Sequence, residues 1–167
     1  ADHVIQNEIN FTEALNKAIQ IAESGQFVTF GIVPKSPHTG YGYIKQGKKI
    51  GDGYKIESFV EKPNLSDAKK FISSGKYYWN SGMFVFKASS FLDEMKKFNI
   101  EIYESCKKSM EKSSSDLGFT RIDEKEFAKC PSDSIDYALM EKTENAVVIP
   151  LDAGWSDIGS WSSLWEV

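Results

Sequence analysis

Asp157 lies between two glycines and two tryptophans in Gly154-Trp155-Ser156-Asp157-Ile158-Gly159-Ser160-Trp161, beside Ser156 and Ser160. A carboxylate there is either a helix cap or a metal ligand, and Asp before a helix is most often a cap. Asp2 is the other isolated acid, in the otherwise apolar opening Ala1-Asp2-His3-Val4-Ile5, where its plain reading is a chain terminus. Together the two would suit a magnesium ion, which takes one or two carboxylates and leaves water and substrate phosphate to fill its remaining positions. Glu61-Lys62-Pro63 sets an acid beside a base where a strand ends, because proline cannot donate to a ladder. Ligands of open α/β sheets gather at such strand ends. Glu61 could accept from sugar hydroxyls and Lys62 could meet a phosphate as a point charge; the bland alternative is a surface ion pair worth little. Tyr41-Gly42 is either the start of a strand or a place where backbone comes close to a ligand.

A third stretch joins these. Tyr77-Tyr78-Trp79 leads into a small polar turn, Asn80-Ser81-Gly82, and then the apolar run Met83-Phe84-Val85-Phe86. Aromatic faces, one side-chain amide and a glycine make a plausible place to hold a sugar, although the same pattern describes an ordinary core strand with a turn before it. The three aromatics read as packing rather than as a stacking platform. His3 and His38 have no ligand spacing, and no nucleophilic triad can be assembled.

Placing these residues requires helices and strands in alternation. Apolar spacing from Phe11 to Ala22 predicts a helix over 11–24, capped by Asn10 and stopped by Gly25. Residues 26–33 form a β-rich run of the fully buried kind. A loop with two prolines follows, and then a hairpin of strands 41–45 and 54–60 with a turn at 46–49. Shorter helices are expected over 66–73, from Ser90, over 100–110 and over 132–143. Residues 111–116 read as a polar linker, residues 146–149 as a buried strand stopped by Pro150, and residues 154–161 as a loop opening a final helix. A helix handing over to a fully apolar strand predicts an α/β fold with a mixed, mostly parallel, Rossmann-like sheet, flanking helices and a β-hairpin insertion.

Size and composition set the outer bounds. The chain has 167 residues, 41% hydrophobic and 13% aromatic, enough for a single domain over 1–167 with a real core. A net charge of −4, with no basic block, argues against nucleic acid or an anionic membrane as the main partner. No apolar run reaches the roughly 18 residues of a membrane span. Cys106 and Cys130 sit in no metal-type spacing, and reduced thiols in a cytoplasmic protein are the simplest reading. An opening without methionine and a close at Trp165-Glu166-Val167 look like cuts inside something longer.

The order of the pieces is more specific than any one of them. Ala1-Asp2-His3, residues 40–45 (Gly-Tyr-Gly-Tyr-Ile-Lys), residues 59–63 (Phe-Val-Glu-Lys-Pro), residues 78–84 (Tyr-Trp-Asn-Ser-Gly-Met-Phe), residues 134–142 (Ser-Ile-Asp-Tyr-Ala-Leu-Met-Glu-Lys) and residues 154–161 follow one another along the chain. In this the chain resembles the bacterial mannose-1-phosphate guanylyltransferases, or GDP-mannose pyrophosphorylases, in particular the long type fused to a mannose-6-phosphate isomerase domain. The resemblance implies transfer of guanylyl from GTP to mannose 1-phosphate, giving GDP-mannose and pyrophosphate with Mg²⁺. It implies Asp2 and Asp157 as metal ligands, Glu61 as the sugar-hydroxyl acceptor, and Lys62 as the base near the sugar phosphate. Asn80 and Gly82 would border the sugar, and Tyr41-Gly42 would face it through backbone. Asp136 lies in a family segment without a ligand role.

The family's Gly-rich loop, whose backbone amides cradle the triphosphate, has no counterpart in this sequence. The fold is therefore expected to be incomplete at its amino-terminal side, and the segment alone is expected to be inactive. Alternatives are a nucleotidyltransferase for another sugar 1-phosphate, or a non-catalytic sugar-nucleotide-binding subunit. The presence of both Asp2 and Asp157 weighs against the latter. Oligomeric state is left open, a homodimer included.

Overall fold

Strand β2 (Phe27–Ile32) is buried along its whole length, as its unbroken apolar pattern requires. Residues 3–159 and 161–165 of the computed structural model are described. Helix α1 (Glu8–Glu23) lays Ala14, Ala18 and Ala22 on β2 and its neighbours; four-residue spacing puts these small side chains on one face, so helix and sheet approach closely. The cap of α1 is Asn7, whose side chain accepts from the Asn10 backbone N–H. Asn10 itself is not the cap: it lies one turn inside, where its amide donates to the Asp152 carbonyl at 2.9 Å. The expected start was thus a few residues late, because both asparagines can cap and only the tertiary partner separates them.

Strands β3 (Tyr43–Ile50) and β4 (Gly53–Val60) form the expected hairpin. Its reversal is not at 46–49. β3 runs through those residues with breaks in register, and the chain turns at Gly51-Asp52, where Gly51 has φ +56°. Helix α2 (Leu65–Ser74) is capped by Asn64 and closed by Gly75 in the left-handed region. Strand β5 (Tyr77–Val85) then crosses between β2 and β3. Strand β8 (Ala146–Leu151) lies parallel to β2 and runs on through Pro150, past the last residue that β4 pairs, so the missing N–H interrupts no β4 bond.

These pairings close on themselves in the order β2-β5-β3-β4-β8, a five-stranded barrel. The mixed α/β architecture agrees with expectation, but the balance within the sheet does not. Only β2–β8 is parallel among the described strands of this ring, the other pairs being antiparallel. A short turn dictates the antiparallel sense only of the β3–β4 hairpin; β2–β5, β3–β5 and β4–β8 are antiparallel across long connections.

The described residues divide into two compact units, one holding the chain up to Lys87 and from Glu144 onward, the other Ala88–Thr143. The first contains the barrel and a separate antiparallel pair, β1 (His3–Ile5) with β9 (Trp155–Asp157), followed by α6 (Trp161–Trp165). In the second, α3 (Ala88–Phe98) and α4 (Ile100–Glu111) flank a cavity of about 390 Å³ lined by Phe91, Met95, Cys106 and Met110. The expected linker over 111–116 is partly a hairpin, β6 (Ser114–Asp116) with β7 (Phe119–Arg121), turning through Leu117 and Gly118, both at positive φ.

Helix α5 (Glu124–Phe127) follows, and the expected helix over 132–143 is a short π-helix, Asp136–Met140, in which Glu141 N–H donates to the Asp136 carbonyl. Cys106 and Cys130 are free thiols with Sγ atoms 4.0 Å apart; burial pushes the Cys130 thiol up from its ordinary range. No described helix is long and apolar enough to cross a membrane.

Candidate functional site

Of the residues singled out from the sequence, Asp2 and Asp157 come from its two extremes, and the β1–β9 pair brings His3–Ile5 against Trp155–Asp157. Its register sets His3 directly opposite Asp157. The Trp155 indole donates to His3 Nδ1 at 3.0 Å, tying the two strands side chain to side chain. Asp157 is therefore a strand residue and not a helix cap; α6 begins four positions later. Asp2, its expected companion, lies outside the described residues.

Tyr41 links Asp157 to the barrel. Its phenol donates to Asp157 Oδ1 at 2.8 Å. The Tyr41 ring stacks on His38, with centroids 4.2 Å apart, and meets the edges of Trp79 and Trp155 at 5.1 and 5.6 Å. His38 in turn accepts at its carbonyl from the Tyr43 hydroxyl and at Nδ1 from the Gly40 N–H. A ring this enclosed has little rotamer freedom left, so the hydroxyl is held where it is.

Gly42 follows at once and faces a different pair. A Cβ built there would stand 2.5 Å from Glu61 Oε2, 3.2 Å from Phe59 Cζ and 3.5 Å from Asn80 Cβ. The Gly42 carbonyl accepts from the Asn80 N–H at 2.8 Å. Glu61 is largely buried, with Lys62 Nζ 3.4 Å from its Oε1, whereas the Lys62 side chain is 64% exposed. Lys62 has φ +45°, an uncommon conformation for a residue with a Cβ, and it aims the chain out of β4 at this point.

Asn80-Ser81-Gly82 is not a turn before a strand but a bulge within β5. Thr29 pairs with Phe84 and Gly31 with Asn80, so one residue of β2 faces three of β5. Gly82, at φ +71°, allows the extra length. The Thr29 hydroxyl, wholly buried, lies 3.0 Å from Asn80 Oδ1 and 3.0 Å from the Met83 carbonyl, one on each side of the bulge. Gly82 N–H also donates to Asn80 Oδ1, at 3.3 Å. Tyr77 stacks on Phe71 at 4.2 Å and Tyr78 donates to Gln46, so both pack as expected.

Tyr41, Gly42, Glu61, Lys62, Asn80, Gly82 and Asp157 are thereby brought into one connected set, directly or through a neighbour in that set. Thr29, His38, His3 and Trp155 belong to it as well and were not read as functional. Thr29 left one trace in the sequence, as the sole polar side chain between Phe27 and Val33. Among the described residues no group of three or more His, Cys, Asp or Glu could hold a metal. Asp157 offers a hard oxygen donor, of the type Mg²⁺ accepts one or two at a time. Chemically the set presents a buried carboxylate, a carboxamide, an exposed ammonium and a second carboxylate on opposite sides of a two-residue step, Tyr41-Gly42.

Comparison with known proteins accords with this. The family model described as "Nucleotidyl transferase" matches residues 1–167. Mannose-1-phosphate guanylyltransferase RfbM of Salmonella typhimurium is 58% identical over all of this chain, which covers 35% of it. Mannose-1-phosphate guanylyltransferase of Escherichia coli is 52% identical, again over all of this chain and 36% of its own length. The chain thus spans about a third of the length of these curated relatives. The solved structure of mannose-6-phosphate isomerase from Helicobacter pylori superposes with a TM-score of 0.85 at 38% identity, covering 93% of this chain and 62% of that one.

Proposed function

Because the chain belongs to the nucleotidyl transferase family, we propose that it forms the sugar-side part of a site that transfers guanylyl from GTP to mannose 1-phosphate. The products are GDP-mannose and pyrophosphate. The observation that carries this reading is the Gly42–Glu61–Asn80 step beside Lys62, joined through Tyr41 to Asp157. The relatives named as mannose-1-phosphate guanylyltransferases supply the substrates.

In this reading Glu61 accepts from a mannose hydroxyl, and Gly42 leaves the sugar room against the backbone. Asn80 and Gly82 border the ring. Lys62, exposed and flexible beyond its Cα, meets the phosphate of mannose 1-phosphate as a point charge. An oxygen of that phosphate attacks the α-phosphorus of GTP in line, and pyrophosphate leaves. Such a reaction depends on positioning and on neutralised charge more than on covalent help from protein. Asp157 would hold Mg²⁺ with Asp2, and the ion would supply positive charge to the phosphates. Tyr41 keeps the Asp157 carboxylate turned to one side by donating to a single oxygen. A reaction on nucleotide sugars fits a cytoplasmic protein that supplies polysaccharide building. A mannose-6-phosphate isomerase activity elsewhere in a longer protein belongs to the same proposal.

The test is product formation by the intact protein, with GTP, ATP, UTP and dTTP compared against mannose 1-phosphate, with and without Mg²⁺. GDP-mannose formed from GTP alone, and only with the metal, is expected. The 167-residue segment by itself is expected to be inactive. Preference for another nucleotide or sugar phosphate would replace the substrates named here. Metal-independent binding of GDP-mannose without turnover would replace catalysis by sensing.

A further inference from the structure

We propose that Cys106 and Cys130 form a thiol–disulfide exchange site, at which the folded chain reacts with a small disulfide of the glutathione class and closes a reversible bond between α4 and the segment after α5. The proposal stands apart from the sugar-site reading and uses none of its residues. Both cysteines belong to the unit Ala88–Thr143. Cys106 lies inside α4, and Cys130 follows the end of α5. They are 24 positions apart, so nothing local brings them together. The fold does, by three ties between the same two stretches. Asp123 N–H donates to the Ser109 carbonyl at 3.0 Å, Lys112 pairs with Glu126, and Cys106 Sγ lies 4.0 Å from Cys130 Sγ. Residues 106, 109 and 112 recur every three positions, so they fall along one side of α4. The thiols thus meet on a side already fixed at two other points.

A disulfide sets its sulfurs about 2 Å apart, so these two have about 2 Å still to close. Two features favour that shift. Cys130 stands outside regular helix, and Cys106 lines the apolar cavity of about 390 Å³, so α4 has few contacts to lose by a small displacement. Both thiols are half-buried and open to a small reagent.

The exchange balances. The Cys106 thiolate attacks one sulfur of glutathione disulfide; that S–S bond breaks, and one glutathione leaves and takes up the proton Cys106 gave. The Cys130 thiolate then attacks the Cys106 sulfur of the mixed disulfide, and the second glutathione leaves with the second proton. Two protein thiols are oxidised and one disulfide is reduced to two thiols. Burial, and after it the neighbouring Cys106, push the Cys130 thiol up. That suits Cys130 to the second step, in which Cys106 no longer bears charge and proximity matters more than the thiolate fraction.

The test uses the intact protein, folded and in urea, equilibrated with glutathione and glutathione disulfide at one fixed ratio. Free thiols are then blocked and the peptides mapped by mass. In the folded protein the expected product is a bond joining the Cys106 and Cys130 peptides, reversed by dithiothreitol. Its ratio of bonded to reduced pair is expected to be at least about tenfold higher in the fold than in urea, because the fold supplies the local concentration. Oxidation is expected to slow hydrogen exchange at the Asp123 amide about tenfold, since the cross-linked chain has fewer ways to open away from Ser109. Cys130→Ser is expected to stop at a glutathione adduct on Cys106, with the melting curve of the reduced wild type. If that variant does not fold, Cys130→Ala takes its place. A bonded fraction no higher in the fold than in urea, a lasting glutathione adduct on the wild type, or pairing of either thiol with another cysteine overturns the inference. So does unchanged exchange at Asp123, or an unmodified Cys106 in the folded Cys130 variant.

Discussion

A methyl group at position 42 would stand 2.5 Å from the Glu61 carboxylate. The atom it meets is the far end of a flexible side chain, so the fold can yield by swinging Glu61 aside. On the function proposed above, Gly42→Ala in the intact protein is therefore expected to change thermal stability little and to raise the KM for mannose 1-phosphate about tenfold, the cost of a displaced polar contact. Steady-state kinetics and a melting curve on the same sample check both halves, and a large drop in melting temperature would show that the glycine serves packing instead.

Lys62 presents the reverse case. Its φ of +45° costs roughly 1 kcal/mol for a residue with a Cβ. Lys62→Gly removes that strain together with the ammonium. We expect about 1 kcal/mol more stability in denaturant unfolding and turnover reduced about a hundredfold. Turnover equal to wild type would remove Lys62 from the reaction. That strain was invisible in the sequence, where Glu61-Lys62-Pro63 showed an acid beside a base at a strand end.

At the scale of elements, α4 and α5 are joined by charge. Glu126 is paired with Lys112, just past the end of α4, and with Lys129, 2.7 Å away. Hydrogen bonds from those two lysines hold its carboxyl down to about 2, from an ordinary value of 4.5. A carboxylate with a depressed folded value adds stability above its unfolded value, and that stability is lost as pH falls through the folded one. The loss attributable to Glu126 thus falls between about pH 4.5 and pH 2. Denaturant midpoints measured across that window are expected to decline less steeply in Glu126→Gln than in wild type. An identical slope would mean that the pair is screened away by solvent.

Elements were legible where their signals are local. Gly75 closes α2 right after its last residue, and β2 announces itself as a continuous apolar run. They were not legible where a partner decides. The bulge at Ser81-Gly82 exists because β2 fixes the register on either side of it, so β5 alone reads as a turn and then a strand. The Leu117-Gly118 reversal lacks the Asn or Asp that usually leads such turns, and its hairpin passed for a linker. The π-helix rests on i−5 bonding, such as Glu141 N–H to the Asp136 carbonyl, that apolar spacing does not record.

At the scale of the whole molecule, motif order carried further than motif chemistry. Taken singly, Asp157 reads best as a cap, Glu61-Lys62 as a surface pair and Tyr77-Tyr78-Trp79 as packing; the fold overturns only the first, since Asp157 lies in β9 while Glu61 and Lys62 do pair. The proposed site depends on Asp2 and Asp157 sharing one metal ion; β1 and β9 pair with His3 opposite Asp157, and Asp2 lies outside the described residues. The aromatic cluster on Tyr41 was beyond reach, because His38, Trp79 and Trp155 come from three separate segments and lack any common spacing.

The Trp155–His3 bond joins residues 152 apart, and β2 waits nearly as long for its parallel neighbour β8. Until β8 and β9 have been translated, the strand edges of β2 and β1 that they pair remain without those partners. Contacts of such long range are slow to form and leave sticky edges uncovered meanwhile. Substitutions that weaken β8 or β9 should for that reason appear first as poor soluble yield and delayed refolding, before any change in the melting temperature of the folded protein.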